Sequence, residues 1–68
     1  MSSEANITLT QKDLSLLSDL MTYEQWAAKK SMLCADMVKD ADIQNICKTL
    51  EENHTKNFNE LYNFLNAF

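Results

Sequence analysis

The sequence predicts an all-α protein, an antiparallel two-helix hairpin that dimerises into a four-helix bundle. Three observations point there. The 68 residues contain no Gly and no Pro, so the usual residues of tight turns are missing while Leu, Ala, Met, Lys, Glu and Gln favour helix. Apolar side chains recur at helical spacing through nearly the whole chain. The one strong stop-and-start signal is the segment VKDADI, near the middle. A chain this short forms at most one domain and buries a modest core, so self-association is expected.

Residues 1–9 are polar and read as a flexible leader. LTQKDL then makes Thr10 an N-cap with Asp13 at the third helical position, a capping box, and Leu9 and Leu14 stand at the spacing of a hydrophobic staple. The first helix should run from about residue 11 to about 38. Asp40 caps the second, and Asp42 adds negative charge where the helix dipole favours it. That helix should span about 41–66, giving two helices each roughly 40 Å long within a hairpin domain of 10–68.

At 100° per residue, Leu14, Leu17, Met21, Glu24, Ala28, Ala35 and Val38 form one stripe on the first helix. On the second, the stripe is Ile43, Ile46, Cys47, Leu50, His54, Phe58, Leu61, Leu65 and Phe68. Each stripe contains a polar intruder near its centre, Glu24 and His54. The two are about equally far from the turn, so they should face each other, the imidazole offering the carboxylate a charge-assisted hydrogen bond.

The first helix has more apolar surface than one hairpin can use. Trp26, Leu33 and Met37 lie roughly opposite the main stripe, and Leu16, Leu20, Tyr23, Ala27 and Cys34 fill one flank. The reading is a second packing surface, with Leu16, Tyr23, Trp26, Leu33 and Met37 as its interface residues and further subunits or a larger partner as its occupant.

The net charge of −4 argues against nucleic acid or an anionic membrane as partner, since both need clustered Lys and Arg. The opening MSSEANITLT lacks the parts of a signal peptide, and no apolar run could span a bilayer, so synthesis and retention in the cytosol are expected. Cys34 and Cys47 form no CxxC pair and are too few for a disulfide framework; two buried thiols are the expectation.

LEENHTKNFNEL raises the question of metal chemistry, because Glu51 and His54 stand three residues apart as iron ligands do in some helical bundles. The angles disagree: with His54 inward, Glu51 lies about 60° further round, a solvated flank residue, and Asn57 is the inward neighbour. A neutral amide is a poor iron ligand. Two copies would supply two Glu24 and two His54, enough for one tetrahedral metal of the zinc type but not for a di-iron centre. The expected cofactor is therefore none, with iron or zinc as the alternative. No phosphate loop, second histidine or activated nucleophile is present, so no enzyme is expected.

ITLTQKDLSLLSDLMTYEQWAAKKS followed by KDADIQNICKTLEENHTKNFNELYNFLN resembles the small two-helix proteins of the spore coat protein F family of spore-forming bacteria, a ferritin-like offshoot. The resemblance covers Ile7 to Asn66. Where relatives read Asp-Pro at the turn this chain has Asp40-Ala41, and where they read Glu-x-x-His it has His54-x-x-Asn57, while Glu24 matches the first-helix Glu. The resemblance implies a ferritin-like bundle, synthesis in the mother cell, deposition in or near the spore coat, and work by assembly with itself and with other coat proteins. The functional expectation is a structural, self-assembling helical protein; the alternative is a ferritin-like metal binder with a dimeric Glu24/His54 site. Sporulation aspartyl-phosphate phosphatases are also two-helix hairpins, but their Ser-Gln-x-Leu-Asp motif is missing here.

Overall fold

A computed structural model describes residues 8–68. Residues 1–7 of the expected leader lie outside the described residues. The chain forms two helices, α1 (Gln11–Met37) and α2 (Ala41–Asn66), with no strand among the described residues. The two pack antiparallel as the expected hairpin.

Local chemistry sets the ends. At the start of α1 the Asp13 amide donates to Thr10 Oγ1 at 3.0 Å and the Thr10 amide donates to Asp13 Oδ2 at 3.1 Å, so the capping box is complete. α1 stops one residue earlier than the pattern suggests. Val38 turns to extended backbone (φ −81°, ψ 148°) and its N–H still bonds the Cys34 carbonyl. Asp40 then caps α2, its Oδ1 accepting from the amides of Asp42 and Ile43 at 2.9 and 3.0 Å. No described residue has positive φ, which is why this turn works without glycine. Gln44 closes it from the inside, its Nε2 donating to the Val38 carbonyl at 2.8 Å.

A line of three-four spacing is shielded from solvent on each helix: Leu17, Met21, Glu24, Ala28, Ser31 and Ala35 on α1, continued by Val38 just after it, and Gln44, Cys47, Glu51, His54, Phe58, Leu61 and Leu65 on α2; Ala27 and Cys34 are shielded beside the α1 line. This is the seam of an antiparallel coiled coil. It is thin: among the described residues Ala27, Ala35 and Cys47 are the buried apolar ones, and no large side chain is fully buried. Leu17, Met21, Phe58, Leu61 and Leu65 fill the half remote from the turn, whereas the half near the turn contains small and polar residues.

Here the structure corrects the expected stripe of α2. Ile43, Ile46 and Leu50 are 46, 60 and 44 % exposed, while Glu51 is half-buried rather than a solvated flank residue. The stripe was displaced by about one residue over the first half of α2, because Cys47, not its apolar neighbours, is drawn into the seam. Leu14 and Phe68 are likewise largely exposed at the open end. The expectation of two separate thiols is also corrected. Cys34 and Cys47 are joined as a disulfide, with their Cα atoms 6.0 Å apart, within the normal range for a bridge.

Candidate functional site

Two features stand out: a polar pair inside the seam and an apolar row beside it. The pair is the one expected from level spacing. His54 Nδ1 lies 2.5 Å from Glu24 Oε1, with the two side chains 22 and 13 % exposed. A carboxylate only accepts, so the imidazole donates from Nδ1. Asn57 Nδ2 also reaches Glu24 Oε1, at 3.5 Å, the long limit of a hydrogen bond. The Tyr23 ring meets the imidazole edge-on, centroids 6.1 Å apart. Both helices therefore converge on a single carboxylate, and no side-chain nitrogen or oxygen is left buried without a partner among the described residues.

Within one chain this arrangement is a hydrogen-bonded bridge between the two helices. Among the described residues no three His, Cys, Asp or Glu side chains converge as ligands. One chain offers a tetrahedral metal two donors of the four it needs, already bonded to each other. Glu51, though turned toward the seam, accepts from Thr55 Oγ1 on its own helix at 3.1 Å.

The apolar row arises from the same helical arithmetic. On α1 Leu16, Leu20, Tyr23, Ala27, Cys34 and Met37 fall on a second line of three-four spacing (Lys30 is its polar member), about 100° round the helix from the seam, with Ala27 and Cys34 its shielded members. On α2 the corresponding line begins with Ile43, Ile46 and Leu50 and becomes polar at Asn53, Asn57 and Glu60. The two lines share one broad face, since Leu20, Glu24, Asn57, Glu60 and Leu61 line one shallow groove. The opposite face has its own groove, lined by Gln25, Ala28, Lys29, Met32, Glu51, Thr55 and Phe58.

All five interface residues expected from sequence are exposed: Leu16 and Tyr23 54 %, Trp26 60 %, Leu33 49 % and Met37 71 %. Leu16, Tyr23 and Met37 lie on the row, and Trp26 and Leu33 extend it round the outer edge of α1. The sequence reading missed Ile43, Ile46 and Leu50 as members of this surface. The signal available was the pairing of Cys47 with Cys34, both placed a few residues from the turn.

No helix among the described residues is long and apolar enough to cross a membrane. Comparisons of the chain with protein-family models, with curated proteins and with solved structures find no match.

Proposed function

We propose that this protein is a structural, self-assembling helical hairpin whose working part is its apolar broad face. The observation that carries the reading is the distribution of large apolar side chains: Leu16, Leu20, Tyr23, Ile46 and Leu50 are 44 to 60 % exposed and share one side of the hairpin. Two helices make one layer, and a stable domain packs at least two layers around its core. A second copy supplies the missing layer, because the same apolar side meeting itself makes a closed, two-fold four-helix arrangement. Trp26 and Leu33, at the outer edge of α1, then remain for contacts that extend the assembly to further copies or other proteins. In keeping with the resemblance to the spore coat protein F family, the assembly belongs to the spore coat, built from protein made in the mother cell.

Sedimentation of the purified protein at micromolar concentration tests this reading. A dimer or larger species is the expected result; a folded monomer over that range removes the reading.

A second reading, a metal held between two copies, draws on the Glu24–His54 contact. Elemental analysis after expression in iron- and zinc-supplemented medium tests it: stoichiometric metal that disappears in Glu24→Ala supports it, and none in the wild type dismisses it.

A further inference from the structure

The half of the hairpin next to the turn lacks the large apolar side chains that hold the other half. Facing each other there are Ala28, Ser31, Ala35 and Val38 on α1 and Gln44, Cys47 and Glu51 on α2. Cys47 is only 4 % exposed and is the most buried of the three core residues. Its partner Cys34 lies on α1 in the apolar row and is half-buried. The sulfur bridge, spanning 13 positions of sequence, stands where a hydrophobic core would otherwise be. It also fixes how α2 is rotated. With Cys47 tied inward, Ile43, Ile46 and Leu50 point to the outer face, at 46, 60 and 44 % exposure.

We propose that Cys34 and Cys47 form a redox-operated clamp that closes the turn half of the hairpin and thereby sets out Ile43, Ile46 and Leu50 for assembly. As regulation of the apolar face, this rests on the self-assembly reading; as a clamp on the hairpin it stands by itself. The oxidant is a low-molecular-weight disulfide, RSSR. Cys34, the more accessible sulfur, attacks as thiolate, forming a Cys34–S–S–R mixed disulfide and releasing RS⁻. The Cys47 thiolate then attacks the Cys34 sulfur and expels the second RS⁻. In total the two thiols lose two electrons and two protons, and RSSR becomes two RSH. A dithiol reductant reverses both steps. In a reducing compartment the turn half keeps the Asp40 cap, the Gln44 bond to Val38 and the packing of small side chains around Ala35, and it opens more readily than the oxidised form; on passage to an oxidising compartment it locks.

The test compares the full chain with and without excess dithiothreitol, using hydrogen exchange resolved along the sequence, the thermal midpoint and sedimentation. Non-reducing gels and mass spectrometry of the oxidised sample check that the bond lies within one chain. The expected result is at least about tenfold faster amide exchange over residues 31–50 in the reduced protein, with weaker association. A Cys34→Ala/Cys47→Ala double variant should match the reduced protein in both buffers. Equal exchange and equal midpoints in the two states overturn the clamp, as does a bond found only between copies. If instead exchange depends on redox state while the oxidised protein stays monomeric, the clamp stands and the self-assembly reading falls.

Discussion

Glu24 Oε1 and His54 Nδ1 meet at 2.5 Å across the seam, one from each helix and 30 positions apart in sequence. Neither would be tolerated at a half-buried position alone, because an unpaired polar group there pays its desolvation cost without return. Together they stand level across the seam, and a single polar position of this kind specifies register in many coiled coils.

The first prediction concerns that asymmetry. Glu24→Leu alone should lower unfolding free energy by about 1–3 kcal/mol, because His54 is left without its acceptor. The Glu24→Leu/His54→Leu double variant should recover most of the loss or exceed the wild type. Urea denaturation of the three proteins at one concentration measures this, and equal losses in the single and double variants would refute it.

The apolar face should separate from the seam by concentration dependence. Ile46→Ala removes a side chain 60 % exposed in the hairpin, so at high dilution its stability should change by less than about 0.5 kcal/mol, while association weakens at micromolar protein. Leu61→Ala, in the seam, should cost about 2 kcal/mol at every concentration. Thermal melts over a dilution series distinguish the two behaviours.

Charge placed on that face should be more disruptive than charge opposite it. Leu20→Lys should raise the dissociation constant about ten- to a hundredfold, equivalent to about 1.4–2.8 kcal/mol. Met32→Lys, on the other broad face, should leave it within a factor of about three. Sedimentation equilibrium reads both.

Helix ends offer a fourth check. Thr10→Ala removes one half of the capping box and should cost about 1 kcal/mol. Asp40→Ala frees two amides at the turn and should cost more, up to about 2 kcal/mol. Circular dichroism melts would show the order, and an equal or reversed pair would contradict the role given to Asp40 in closing the hairpin.

The two caps, a turn around residues 39 and 40 and the meeting of Glu24 with His54 were all legible in the sequence, while the release of Val38 from α1 was not. Each follows from short-range chemistry or from counting residues outward from the turn. The exposed positions of Leu16, Tyr23, Trp26, Leu33 and Met37 were legible too, because they exceed what one helical stripe can hold. The rotation of α2 about its own axis was not. Ile43, Ile46 and Leu50 offer one apolar line near the turn, and Gln44, Cys47 and Glu51 offer another about one residue away, the more polar of the two.

Hydrophobicity along α2 alone favours the first line. Tertiary structure selects the second, because Cys34 and Cys47 bond at a 6.0 Å Cα separation and α1 presents small Ala28, Ser31 and Ala35 there, against which Glu51 can turn inward. The sequence by itself determined two capped helices, their turn and the level of their polar pair, all set by local hydrogen bonding and helical pitch. Only the tertiary structure decided which side of α2 faces α1 and which faces outward, since a helix with two adjacent candidate stripes has no local reason to prefer either until a partner fixes it.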